Sequence, residues 1–152
     1  MNDEAMDWGH RFYMKSAFLR ALPDDVIDHF AEHVGRVPDG ADCGFSVWSC
    51  GRAIARVAEE DTAFSGREAT FWLAAEATWD DAALDDAAQA WARTAMADLP
   101  HTSAGRYVND VAEVGEDVAR SVYGGEKFER LVALKRRWDP DNVFRLNQNV
   151  PP

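Results

Sequence analysis

Leu84, Ala88, Trp91, Ala95 and Leu99 recur at intervals of three and four residues between Asp80-Asp81 and Pro100. That spacing puts all five on one stripe of a helix. An aspartate supplies the N-cap and the proline the stop, so an amphipathic helix is predicted over residues 80–97. A helix with a single apolar stripe must bury it against a second layer. The rest of the chain has to provide that layer.

Strands are the natural partner. Phe12, Met14, Ser16 and Phe18 alternate with Arg11, Tyr13, Lys15 and Ala17, which predicts a first strand with the Phe12 set buried and Tyr13 and Lys15 sharing the other face. Residues 45–48 and 53–57 read as two short strands around Cys50-Gly51-Arg52, and residues 69–78 as a further core strand. Glu76 is the single acid in that last strand, and the pattern does not set which face it takes. Pro23-Asp24-Asp25 opens a helix with Val26, Ile27, Phe30, Ala31 and Val34 as its stripe and Gly35 at its end, followed by a Pro38-Asp39-Gly40 turn. The order β-α-β-β-β-α predicts an α+β fold, an antiparallel sheet with helices on one face. Residues 1–8 are polar and expected to fray.

Past residue 104 a short helical piece ends at Tyr123-Gly124-Gly125, and a longer helix runs from Glu126 to Trp138 with Phe128, Leu131, Leu134 and Trp138 as its buried stripe. Asp139-Pro140-Asp141-Asn142 stops it. Residues 143–152 read as an extended arm with Phe144, Leu146 and Val150 on one side and Arg145, Asn147 and Asn149 on the other; Tyr107 and Asn109 likewise share a face. Amides and a guanidinium donate and accept in fixed planes, which suits a flat, carbonyl- and phosphate-bearing ligand; the same groups also suit the backbone of a covering segment.

The 152 residues are the size of one domain. A formal charge of −11 argues against nucleic acid or an anionic membrane surface as partner, since both need clustered positive charge. No apolar run of spanning length and no basic-plus-apolar leader is seen, so a soluble protein is expected. Cys43 and Cys50 are too few for a disulfide framework and not spaced as a zinc knuckle, which fits reduced thiols in a cytoplasm. His29 and His33 stand one helical turn apart, but no third metal ligand is suggested.

Taken in order, Tyr-x-Asn at Tyr107, Tyr123-Gly124-Gly125, Phe128-Glu129-Arg130-Leu131 with Lys135, and the run from Trp138 through Asn149 to Pro152 resemble the carboxy-terminal signature of berberine-bridge-enzyme-like flavoproteins, FAD-linked oxidases of the vanillyl-alcohol-oxidase type. Residues 11–16, 50–57 and 61–64 with Arg67 resemble the substrate-domain half of the same family. The resemblance implies a partial substrate-binding domain over residues 1–103 and a berberine-like closing segment over residues 104–152. It implies a small organic substrate oxidised by hydride transfer to FAD, with Tyr107 as base and Asn109, Arg145, Asn147 and Asn149 framing the flavin. Tyr13 and Lys15 become candidates for the substrate pocket, as does Glu76, because some relatives keep a catalytic base on a sheet carboxylate. The chain departs from the family at Cys50, where a second glycine is common, and at Asp110, where another tyrosine is common. It shows no glycine-rich pyrophosphate loop, and the family's FAD-binding domain precedes the region matched, so an FAD-binding domain is expected either as a separately encoded partner or as part of a longer protein of which this is the tail. Other outcomes are a flavin-free binding or interaction module, a homodimer covering the bare arm, or an inactive truncated product.

Overall fold

The computed structural model describes residues 8–97, 99–102, 105–111 and 113–152. Three strands, β1 (Arg11–Leu19), β2 (Ala41–Ser49) and β3 (Phe71–Trp79), form an antiparallel sheet in the order β1-β3-β2. The register sets Lys15 and Phe45 opposite Ala75, and Met14 and Gly44 opposite Glu76. Of residues 1–8, only Trp8 lies within the described residues.

Helices α1 (Asp24–Val34) and α2 (Asp85–Ala97) cover one face of the sheet. Against them lie Leu73, Ala75, Ala77 and Trp79 of β3, with Tyr13 and Leu19 of β1 and Phe45 of β2. The predicted α2 stripe is buried there, and Asp81 caps the preceding helical turn by accepting from the Ala83 N–H at 2.9 Å. The alternation of β1 therefore runs the other way from the sequence expectation. Phe12, Met14, Ser16 and Phe18 take the face away from the helices, and only Phe18 is buried. Both sets carry large apolar residues, so alternation alone cannot say which one meets α2.

Two further corrections concern α1 and residues 53–57. In α1 the residues turned inward are Val26, Phe30 and His33, whereas Ile27, Ala31 and Val34 are exposed. His33 Nδ1 meets the His29 carbonyl at 2.9 Å, its buried Nε2 has no partner among the described residues, and its backbone carbonyl accepts from Trp91 Nε1 at 2.8 Å. Residues 54–56 form a 3-10 turn, not a strand: Gly51 at φ +101 and Arg52 at φ +46 swing the chain off the sheet just after the Cys50 N–H bonds the Thr70 carbonyl at 2.7 Å.

Helices α3 (Glu116–Tyr123) and α4 (Gly125–Trp138) form their own small core of Ala119, Phe128 and Val132, which Val150 closes. Leu134 and Trp138, expected in the α4 stripe, are exposed. The pair is tied to loop 59–65. Lys127 Nζ donates to a Glu59 carboxylate oxygen at 2.5 Å and to the Phe64 carbonyl at 2.6 Å, and Arg130 donates to the Glu60 carbonyl. Burial pushes the Glu59 carboxyl up, but the bonds from Lys127 and from the Arg67 and Gly66 N–H groups outweigh it and hold it below the usual carboxylate range.

Among the described residues both cysteines are free and no three His, Cys, Asp or Glu groups gather to hold a metal. Burial, helped by the charge of Asp42, pushes the Cys43 thiol up to about 11, which keeps it protonated and unreactive near neutrality. No helix of the described residues is long and apolar enough to cross a membrane.

Candidate functional site

Two loops meet to make the site. The first runs from Gly105 into a 3-10 turn, Val108–Asp110. Asn109 Nδ2 donates to the Tyr107 phenol oxygen at 2.9 Å, and the Tyr107 ring lies 6.2 Å from that of Phe64. The second is the arm after α4. Asp139 accepts from Lys135 Nζ at 2.5 Å and from the Val143 and Phe144 N–H groups at 2.7 and 3.1 Å, folding the chain back on the helix end.

The arm is irregular where an extended segment was expected. Asn147 sits at φ +58, a conformation asparagine tolerates, and the Asn149 N–H bonds the Asn147 carbonyl at 2.9 Å. The expected alternation is absent: Phe144, Arg145 and Leu146 are all exposed. Gln148 reaches across, its Nε2 donating to the Val111 and Glu113 carbonyls at 3.0 and 2.5 Å.

Between loop and arm lies a cleft of about 570 Å³, bordered by Val108, Asn109, Tyr123, Leu146, Asn147 and Gln148 among others. Asn109 and Asn147 are thus brought together at the cleft, and Tyr107, which does not line it, is connected to it through its bond with Asn109. Arg145 is exposed and does not line the cleft, and Asn149 is half-buried with its Oδ1 lacking a partner among the described residues. Tyr123 and Gln148 are lining residues that the sequence reading did not assign. Burial pushes the Tyr123 phenol up, so Tyr123 stays neutral there. Both residues stand inside the quoted motifs, but only the fold turns them inward.

A second polar group occupies the sheet face away from α1 and α2. Glu76 accepts from Ser46 Oγ at 2.8 Å, and Trp72 Nε1 donates to Asp110 at 2.8 Å. Burial pushes the Asp110 carboxyl up and the nearby Glu76 charge adds to it, against the bonds from Trp72 and Ser16. Asp110 therefore connects the loop bearing Tyr107 to the sheet face bearing Glu76. Tyr13 and Lys15 do not share that face. Tyr13 lies on the helix side with the Arg93 guanidinium 5.3 Å over its ring, and Lys15 pairs with Glu113 across a groove of about 400 Å³ along β1.

The Lys135 hydrogen bond, with the Val143 and Phe144 N–H groups, holds the Asp139 carboxyl below the usual carboxylate range. A depressed acid contributes stability above the unfolded-state pKa and loses it as pH falls through the folded value. The turn at Val143 and Phe144 is therefore expected to loosen as pH falls through the lowered Asp139 value. Hydrogen exchange at the Val143 and Phe144 amides checks this: protection is expected to vanish on acidification in the wild type, and at every pH in Asp139→Ala.

Residues 106–151 match the family model described as berberine and berberine like. The chain is 30% identical over 145 residues to YvdP of Bacillus subtilis (strain 168), an uncharacterized FAD-linked oxidoreductase, covering 95% of this chain and 30% of that protein. YgaK of the same organism, also an uncharacterized FAD-linked oxidoreductase, is 33% identical over 143 residues, again 30% of its length. Among solved structures, aclacinomycin oxidoreductase superposes with a TM-score of 0.75 at 26% identity, covering 93% of this chain and 32% of the enzyme. The H104A variant of berberine bridge enzyme, at 20% identity, shares the fold with a TM-score of 0.79 over 94% of this chain and 33% of its own. The chain thus spans about a third of the length of the proteins it matches.

Proposed function

We propose that this chain, which resembles the carboxy-terminal third of berberine-bridge-enzyme-like FAD-linked oxidoreductases, provides the substrate wall and the ring-bordering arm of a flavoenzyme oxidising a small organic molecule. Residues 1–103 form the substrate half and residues 104–152 the closing segment. The observation that carries the reading is the single cleft in which Asn109, bonded to the Tyr107 phenol, faces Asn147.

The donor set fits the edge of an isoalloxazine ring. A phenol and amides border a cleft of about 570 Å³, and planar amides match ring carbonyls and N–H groups. It does not fit the rest of FAD, because these 152 residues offer no glycine-rich turn for a diphosphate. A partner FAD-binding domain or subunit is therefore part of the proposal. Trp138, Phe144 and Leu146, 73%, 82% and 85% exposed, support a covering partner. A second copy of this chain is the alternative cover, and light scattering at increasing concentration distinguishes the two. The free Cys43 and Cys50 suit a reducing cytoplasm.

Bound flavin would accept hydride from a substrate C–H. Tyr107, acting as a phenolate that the Asn109 N–H bonded to its oxygen helps to hold, would take the proton released from the substrate. Glu76 and Asp110, on the open sheet face, contact the rest of the substrate, whereas Lys15, opposite Ala75 on the helix side, lines the groove along β1 that also reaches Asp110. Tyr13, on the helix side, is left out of the site.

Visible absorbance in the flavin bands after purification with an FAD-domain partner tests the reading, and a colourless complex overturns it. Tyr107→Phe is then expected to lower kcat by about 10²–10⁴-fold with little change in flavin content. Ligand-induced thermal stabilisation without colour would instead assign a flavin-free binding module.

A further inference from the structure

We propose that Gln148 is a positioning residue: by giving both amide protons to the loop that carries Tyr107 and Asn109, it sets Asn147 opposite them. The proposal rests on the flavoenzyme reading only for what the cleft receives.

The orientation of the Gln148 amide follows from its partners. The Val111 and Glu113 carbonyls can only accept, so the NH₂ group must face them, at 3.0 and 2.5 Å, and Oε1 must point away. Oε1 is buried with no partner among the described residues, which makes the amide an asymmetric contact.

The other anchors of each segment lie elsewhere. The loop is held to the sheet by Trp72 on Asp110 and by Lys15 on Glu113, and to loop 59–67 by the close approach of Gly105 to Gly66. The arm is held at one end by Asp139 and Lys135 and at the other by Val150 in the α3–α4 core. Arg145, Leu146 and Asn147 lie between those anchors and are exposed. Gln148, joining residues 37 and 35 apart in sequence, is the tie that fixes this stretch against the loop.

The test uses Gln148→Glu and Gln148→Ala, read by hydrogen exchange of the amides of residues 108–111 and 147–150. A carboxylate is nearly the shape of the amide but only accepts, so it sets charge against two carbonyl oxygens. A protonated carboxyl regains one donor. A glutamate in that setting is expected to protonate well above its ordinary value of about 4.3. At about pH 8 both variants are expected to lose protection about tenfold or more. At about pH 5, above the range where Asp139 fails, Gln148→Glu regains part of it and Gln148→Ala does not. Wild-type protection in both variants at the higher pH overturns the proposal. So does loss in Gln148→Glu that acid does not reverse, because the side chain would then be acting through packing alone. Flavin uptake is scored separately by colour in the wild-type chain with its FAD-domain partner. A colourless complex whose loop protection still depends on Gln148 defeats the flavin reading and upholds the positioning role.

Discussion

Phe128→Ala is expected to cost about 3–5 kcal/mol and to release α3, α4 and the arm together. The ring is fully buried, with Ala119, Val132, Tyr123 and Val150 packed around it and the Arg120 guanidinium 4.3 Å over its face. Ala119 is too small to fill the space, and Val150 reaches this core only from the end of the arm. The α3–α4 core is separate from the two cores under the sheet, so its failure need not spread to them. Hydrogen exchange is expected to show α4 amides accelerating while β3 amides keep their protection. The cleft would go with α4, because Tyr123 and Asn147 are held from that side. Equal acceleration throughout the chain would show that the two parts unfold as one.

Gly66→Ala is expected to cost about 2–5 kcal/mol, from about 1–2 for a left-handed backbone and about 1–3 for overpacking. Gly66 lies at φ +89, and an added Cβ would stand 2.6 and 2.7 Å from two ring carbons of Phe18. Phe18 is buried and its ring meets Phe64 edge-on at 6.0 Å, so it has little room to yield. The loop must shift instead, and two neighbours move with it: Gly105, which approaches Gly66 closely, and Phe64, which flanks Tyr107. Thermal unfolding checks the stability term. Gly44→Ala is the control, since nothing lies within 4 Å of its added Cβ, and its change is expected to stay within about 0.5 kcal/mol. A Gly66→Ala protein as stable as that control would show that the Phe18 contact relaxes freely.

Much of the fold was legible because local patterns were redundant. The α2 stripe, its aspartate cap and its proline stop all pointed to one helix, and the structure buries that stripe. The site was only partly legible. Tyr107, Asn109, Arg145 and Asn147 were assigned through the family resemblance; Asn109 and Asn147 line one cleft with Tyr107 bonded to Asn109, while Arg145 is exposed away from it on an arm that is irregular rather than extended. Gln148 and Tyr123 gave no separate signal, since amides and phenols look the same in sequence whether they face a cleft or water.

What the amino-acid order determined by itself was the kind of elements, their sequence and the stop signals between them, because capping, proline geometry and apolar spacing act within a few residues. Which face of β1 meets α2, that His33 rather than Ile27 turns inward on α1, and that the arm folds back on Gln148 were decided by tertiary packing. Each of those choices depends on partners far away in the chain. β3 is covered by strands on both edges and carries large apolar residues on both faces, Leu73 and Trp79 on one and Trp72 on the other beside Glu76 and Thr78. Only when α2 took one face was Glu76 left on the other, beside Asp110 and the loop that carries Tyr107.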